Sequence, residues 1–218
     1  MIVVLVGPPG SGKGTQCKRL ADRFSLAHLS SGDIFRAEIR NSTELGAKVK
    51  AFIERGDLVP DELVIDMMKG AVAEKNYNCI LDGFPRTLSQ AEQLDIALNA
   101  DNKKIALVIE LTVDDNVVAD RISRRRVCPS CGAVYHLETI VPAVEGKCDQ
   151  CGANIIHRDD DRQEVVLDRL KTYHSQTSPI IGYYRNSDTT FRTVDASLPI
   201  DEITEAISRE IEEIESNV

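Results

Sequence analysis

Tryptophan is absent, and aromatic residues make up only 5% of the 218-residue chain. So few aromatic faces leave little on which nucleic-acid bases could stack. Basic residues are also outnumbered: 26 Lys and Arg against 35 Asp and Glu give a formal charge of −9. That balance opposes general attraction to a nucleic-acid backbone or an anionic membrane surface. Long apolar runs are missing too. The longest, Ile2 to Val6, is far short of the ~20 residues needed to span a bilayer, and a lone Met1 before it supplies no basic leader region. The expectation is a cytoplasmic chain with no membrane and no nucleic-acid partner, in which any anion site is built locally from clustered basic residues.

What is present is ordinary globular composition, 42% hydrophobic and 28% charged, enough for one sizeable core with insertions. Of six cysteines, four fall as Cys128-x2-Cys131 and Cys148-x2-Cys151, which is metal-ligand spacing. Cys17 shares a helical face with Leu20, Ala21 and Phe24, and Cys79 abuts Ile80 and Leu81, so both read as small buried hydrophobes.

Short apolar runs recur at Ile2 to Val6, His28 to Ser30, Cys79 to Asp82, Ile105 to Leu111 and Phe191 to Val194. Each leads into a turn or a helical pattern, the rhythm of a parallel sheet. Amphipathic stretches lie between them at Thr15 to Phe24, Asp61 to Glu74 and Asp114 to Arg125, predicting helices on both sheet faces. Ser197 to Glu215 reads as a closing helix with Ile203, Ile207, Ile211 and Ile214 inward. Two segments interrupt the alternation and read as inserted lobes. Asp33 to Arg55 carries two helical patterns, with Asp33 as a cap and Gly56 as the stop; Arg124 to Asp161 has scattered Gly, Pro and Cys and no helical period.

Gly7-Pro-Pro-Gly-Ser-Gly-Lys-Gly-Thr15 follows an apolar run and opens a helix. In such a loop successive backbone N–H groups turn inward around phosphate oxygens, the helix N-terminus adds partial positive charge, and Lys13 adds a full one. Gly10, Ser11, Gly12, Lys13, Gly14 and Thr15 are therefore the candidate phosphate ligands. Gly14 stands where a magnesium-binding hydroxyl is usual, so metal anchoring must come from elsewhere. A dinucleotide fold is the weaker rival, since glycines at 7, 10, 12 and 14 do not give G-x-G-x-x-G.

Sixteen residues separate Cys131 from Cys148, and a glycine follows each pair, Gly132 and Gly152. Cys128, Cys131, Cys148 and Cys151 thus suit a tetrahedral zinc site with no position open to substrate. Iron or cobalt would suit the same donors, and two disulfides are the bland alternative. The four histidines, at 28, 136, 157 and 174, show no spacing that suggests acid-base work.

Together with Asp82-Gly-Phe-Pro-Arg86 and Ser31-Gly-Asp-x-x-Arg36, the loop belongs to a recognisable set. GPPGSGKGTQ, SSGDIFR, GDLVPDELV, LDGFPRTLSQAEQL, DRISRRRVC, VYH, the cysteine pairs, RDDD and IGYY follow in family order over essentially the whole chain. The chain resembles the nucleoside monophosphate kinases, most closely the long-lid, zinc-bearing adenylate kinases. The resemblance implies an α/β fold: a P-loop kinase core with a five-stranded parallel sheet, order 2-3-1-4-5, built from residues 1–29, 60–123 and 162–218. It also implies a helical NMP-binding insert at 30–59 and a zinc-ribbon-like lid at 124–161.

The same resemblance implies ATP, AMP and ADP as partners, Mg2+ with ATP, a structural Zn2+, and a monomer. Ser31, Arg36, Leu58, Val59, Gly83, Phe84, Pro85, Arg86 and Gln90 would hold AMP, with Gln90 reading the adenine edge. Arg121, Val134, Tyr135 and Leu198 would frame the ATP base. Lys13, Arg86, Arg125, Arg158 and Arg169 would be catalytic, Arg125 on the ATP phosphates and Arg158 and Arg169 also on AMP. Asp82, with Asp160 and Asp161, would act through magnesium waters or lid closure. One departure is Ser31, where adenylate-specific members commonly carry Thr.

Phosphoryl transfer to a phosphate asks for what this sequence offers, because the acceptor is already largely a dianion near neutrality and needs cations rather than a general base. The helix from Asp114 places Val117, Arg121 and Arg125 four apart in a single stripe, for which a solvated basic face is the competing reading. Arg169 falls in register with Val166, Leu170 and Tyr173, so it points inward toward an anion, either a substrate or a structural Asp or Glu. Rival functions are a UMP/CMP kinase or a GTP-using relative and, more remotely, a zinc-ribbon nucleic-acid-binding ATPase.

Overall fold

A computed structural model describes residues 1–216; Asn217 and Val218, the end of the expected core, lie outside the described residues. The first apolar run forms strand β1, Ile2–Val6, whose alternate side chains enter different clusters. Ile2, Val4 and Val6 join one core and Val3 and Leu5 the other, so both faces of β1 are covered, as a central parallel strand requires. The remaining sheet strands are β2 (Ala27–Ser30), β3 (Cys79–Asp82), β4 (Leu107–Thr112) and, far along the chain, β7 (Thr190–Asp195). All pair in parallel in the order β2-β3-β1-β4-β7. Counting only these five, the order is the expected 2-3-1-4-5. Strands β5 (Arg125–Val127) and β6 (Val134–His136) form a separate antiparallel ribbon.

Helix α1 (Lys13–Phe24) buries Gln16, Cys17, Leu20 and Ala21. It shares one sheet face with α9 (Ile200–Ser216), whose Ile203, Ile207 and Ile211 repeat every four residues and are fully covered. Burial of such side chains is worth roughly 1.5–3 kcal/mol each against exposure. On the other face lie α4 (Asp61–Glu74), α5 (Leu88–Ala100) and α8 (Pro179–Arg185). Helices α2 (Ser31–Arg40) and α3 (Glu44–Arg55) connect β2 to α4. Helices α6 (Asp115–Ser123) and α7 (Gln163–Thr172) meet through Val118, Ile122, Val166 and Leu170, at the base of the cysteine-bearing segment. Cys17 and Cys79 are both fully buried, as expected.

Several expected details differ. Helix α6 ends at Ser123, and Arg125 pairs with His136 in the β5–β6 ladder; the stripe Val117, Arg121, Arg125 therefore does not exist, because inter-strand pairing captures the chain before the last helical turn. Helix α2 is capped by Ser30, whose Oγ accepts from the Asp33 N–H at 3.3 Å, so Asp33 lies inside the first turn. Helix α9 starts at Ile200, leaving Ser197 to Pro199 as a loop. Among the described residues, no helix is long and apolar enough to cross a membrane.

Candidate active site

Side-chain caps close the N-termini of α2, α3, α5 and α6, but α1 has none. Its first N–H groups therefore face the cleft, an arrangement that favours an anion. Lys13, its first residue, donates to the loop carbonyls Gly7 O at 2.7 Å and Pro8 O at 2.8 Å. Burial lowers its pKa to about 8, against the raising influence of Asp82. A Cβ at Gly14 would lie 3.2 Å from Asp82 Oδ2, so the missing hydroxyl at this position makes room for a carboxylate at the end of β3. Burial alone would raise the pKa of Asp82, but His28 and Lys13 hold it below the usual value. A buried, ionised carboxylate beside a phosphate loop meets the oxygen-ligand demand of Mg2+, which takes one or two carboxylates plus substrate phosphates.

The loop opens into a cleft of about 1320 Å³ that also gathers Arg36, Arg86, Arg121, Arg125, Arg158 and Arg169. Arg125 forms a two-pronged pair with Asp161, its Nε donating at 2.8 Å. Arg169 donates to Asp160 Oδ2 at 3.0 Å and to Asp161 Oδ1 at 3.4 Å. Arg169 is therefore ion-paired to structural carboxylates, and it also lines the cleft. Of the three acids expected to act near magnesium, Asp160 and Asp161 are committed to these arginines and Asp82 is not. Arg36 pairs with Asp33 at 2.6 Å.

Three of these guanidiniums, those of Arg86, Arg121 and Arg158, have no carboxylate partner among the described residues. Among the described residues, Arg86 donates from Nε only to the Gly83 carbonyl at 2.7 Å, and Arg158 has no side-chain partner. Burial lowers both pKa values to about 10; Arg169 and Arg36 press further on Arg86, and Arg36 and Arg125 on Arg158. Half-buried cations that lower one another's pKa and lack a carboxylate call for an anionic ligand. Gly83 allows this arrangement. Its φ is +69°, and a Cβ would lie 2.6 Å from Arg86 Nη2, so an L side chain would be strained and would displace the guanidinium.

A smaller cavity of about 60 Å³ adjoins the cleft, lined by Ser31, Leu58, Val59, Gln90 and Arg86 among others. Ser31 Oγ donates to Gly83 O at 2.6 Å. Gln90 Oε1 accepts from the Arg86 N–H at 2.7 Å, and its Nε2 donates to Asp61 Oδ1 at 2.7 Å. A backbone N–H can only donate and a carboxylate only accept, so the amide orientation is fixed. Asp61 was not visible as part of a site in the sequence, where it reads as an ordinary first-turn acid of α4.

The four cysteine sulfurs gather with all donor atoms within 4.8 Å of one another. Cys128–Cys151 and Cys131–Cys148 approach to 3.5 and 3.4 Å, far from a disulfide's ~2.05 Å and near the ~3.8 Å edge of a tetrahedron with metal–sulfur bonds of ~2.3 Å. The two knuckles match: Gly132 N donates to Cys128 O at 2.9 Å, and Gly152 N to Cys148 O at 2.8 Å. The donor set fits zinc.

Of the expected site residues, Gly10 to Thr15, Pro85, Val134 and Leu198 line the large cleft. Arg121 lies there with Nη1 donating to Ala196 O at 2.7 Å. Tyr135 touches the cleft, but its hydroxyl donates to Cys148 Sγ at 3.3 Å and accepts from Asp149 N at 2.7 Å, so it braces the knuckle. Phe84 is packed into the core beneath the small cavity and lines neither space.

The fold and this site define a nucleotide-binding kinase of the phosphate-loop class. A family model described as "Adenylate kinase" matches residues 5–189. The adenylate kinase of Finegoldia magna is 47% identical over 213 residues, covering 97% of this chain and 99% of the relative. Those of Lachnospira eligens and Agathobacter rectalis are 46% and 45% identical, each over 209 residues and 95% of this chain, and 98% and 97% of the relatives. The chain belongs to the adenylate kinase family.

Proposed function

We propose that the protein transfers the terminal phosphoryl group of ATP to AMP, reversibly, giving two ADP. The observation that carries this reading is the pair of half-buried guanidiniums, Arg86 and Arg158, without carboxylate partners in a cleft that ends at the uncapped start of α1. On this reading Lys13 and the loop N–H groups hold the ATP phosphates. Arg36 and Arg86 hold the AMP phosphate. Arg125, Arg158 and Arg169 neutralise charge on the phosphoryl group as its bond to the β,γ-bridging oxygen breaks and a bond to an AMP phosphate oxygen forms. Mg2+ bound with ATP, held through Asp82, supplies further neutralisation. The cysteine-bearing segment, 124–161, acts as a lid held by zinc and, with the α2–α3 insert at 30–59, excludes water that would otherwise accept the phosphoryl group.

Acceptor choice follows from the orientation of Gln90. Among the described residues one Nε2 hydrogen and one Oε1 lone pair have no partner, on ends of the amide whose order is fixed. Adenine presents the complementary order, a ring-nitrogen acceptor beside an amino donor, and a 6-oxo purine presents the reverse. Turnover with AMP, IMP, GMP, CMP and UMP tests this. AMP is expected to lead, and Asp61→Ala, which removes one of the two bonds that hold the amide, is expected to lower the AMP-to-IMP preference about tenfold or more. A pyrimidine preference in wild type would overturn the assignment of AMP. An unchanged AMP-to-IMP ratio in a folded variant would overturn the role of Asp61.

A pH dependence follows from Lys13. In the free site its pKa is lowered to about 8 by burial, and phosphate oxygens beside it favour the protonated form. ATP affinity is therefore expected to be level up to about pH 8 and to fall above it, with proton uptake on binding. Calorimetry in buffers of different ionisation enthalpy reads the uptake directly, and affinity level through pH 9.5 would exclude Lys13 as the titrating group.

A further inference from the structure

Besides the four cysteines, one other group of metal-type donors meets among the described residues: Cys17, His28 and Asp82, with one ligand atom from each lying within 4.8 Å of the others. The topology explains the meeting. His28 pairs with Ile80 across the β2–β3 ladder, and Asp82 lies two residues beyond Ile80, on the same sheet face. Helix α1 packs on that face and buries Cys17 in the cluster that contains Ile80.

The local chemistry is incomplete. His28 Nε2 is shielded from solvent and makes no hydrogen bond. It lies 3.5 Å from Asp82 Oδ2, within ion-pair range but too long for a good hydrogen bond. The Cys17 thiol is free and wholly buried. Sulfur, imidazole nitrogen and carboxylate oxygen together match a borderline or soft divalent cation and not Mg2+, which takes oxygen ligands. Metal–ligand bonds of ~2.0–2.3 Å require these donors to draw together by up to about 1 Å. Three protein ligands would leave a fourth position. Of the three, Asp82 lines the cleft and Cys17 and His28 do not. A divalent ion held by a thiolate and a carboxylate forms a neutral unit, so the neighbouring charge of Lys13 does not bar it.

We propose that Cys17, His28 and Asp82 form a second metal site, taking Zn2+ or a cation of similar softness, separate from the four-cysteine site and lying beneath the phosphate loop. Occupancy would withdraw the Asp82 carboxylate from the cleft. A soft cation bound there would therefore inhibit the enzyme by displacing the magnesium–nucleotide arrangement proposed above, while binding itself is independent of that reading.

The experiment counts metal. Protein carrying one zinc per chain is dialysed against micromolar Zn2+ without nucleotide, alongside Cys17→Ala and His28→Asn. The expected result is a second zinc per wild-type chain, bound at least tenfold more weakly or lost in each variant. Added Zn2+ at saturating magnesium and ATP should inhibit wild type, reversibly by chelation, and inhibit Cys17→Ala far less, although without added Zn2+ that variant turns over like wild type and so is folded. A single zinc in wild type under these conditions, or a second zinc retained by both variants, overturns the proposal.

Discussion

Replacing Lys13 by alanine is expected to lower phosphotransfer by about 10³-fold or more, a loss of roughly 4 kcal/mol in transition-state stabilisation, while the fold melts no lower than wild type near neutral pH. The two effects share one cause. The ammonium is buried at the start of α1, bonded to the Gly7 and Pro8 carbonyls, and desolvation lowers its pKa from 10.5 to about 8. The unfolded chain binds that proton more tightly, so the folded protein loses stability by carrying the charge. The cost is full below about pH 8 and fades as pH rises toward 10.5. Its size is on the order of 3 kcal/mol, reduced in the alanine variant by the loss of the two carbonyl bonds. In the proposed reaction the same charge would face ATP phosphate oxygens in a site of low dielectric, where it is worth most. Melting curves of both proteins between pH 7 and 10.5, with turnover measured at one pH, test the argument. Near-normal turnover would mean the loop does not cradle the phosphates, and a melting temperature well below wild type at neutral pH would mean Lys13 is structural.

How much of this was legible in the sequence depends on whether a residue's role is carried by local spacing. The loop from Gly7 to Thr15 could be read because strand, glycines, lysine and helix are contiguous, and the four cysteines because their spacing is itself the ligand geometry. Arg169 could be read as inward-facing from its helical register. What it faces could not be read, because Asp160 and Asp161 arrive through a short turn of 3₁₀ helix, Asp159–Asp161, whose path no periodicity announces. Arg125 was placed on a helix because the four-residue spacing runs smoothly past Ser123. Only the pairing of Arg125 with His136 and of Val127 with Val134 ends that helix, and strand pairing is a non-local event. Asp61 was hidden for a related reason: an acid in the first turn of a helix already has a sufficient local explanation, and its bond to Gln90 crosses from α4 to α5. Cys17 was correctly read as buried, yet its neighbours His28 and Asp82 come together only when β2, β3 and α1 are assembled.

Removing one of the four clustered cysteines should have the second large effect, and it should be confined to one part of the molecule. Cys128→Ala is expected to lose the metal and to lower the first thermal transition by about 10 °C or more, since each kcal/mol is worth about 2–4 °C in a chain of this size and structural zinc contributes several. The two sheet cores are built from β1, β3 and β4 with the packed helices and share no residue with the cysteine cluster. That cluster buries only Cys128, Ala133, Tyr135 and Cys148, packed against Ile140, Ala153 and Ile155. So small a set lies below the size at which a segment usually holds itself together without a metal or another staple. Hydrogen exchange should therefore speed up across 128–155, the span of the cysteine cluster, while amides of β1, β3 and β4 stay protected. Lys18 of α1 donates to Gly132 O at 2.6 Å, so the knuckle also touches α1. Losing it should weaken ATP binding more than it slows turnover per folded molecule, because Arg125 and Arg169 keep their carboxylate partners outside the cysteine cluster. A wild-type preparation free of zinc, yet stable and active, would refute the structural role of the metal; uniform loss of protection across the core in Cys128→Ala would show that the cysteine-bearing segment and the sheet unfold as one unit.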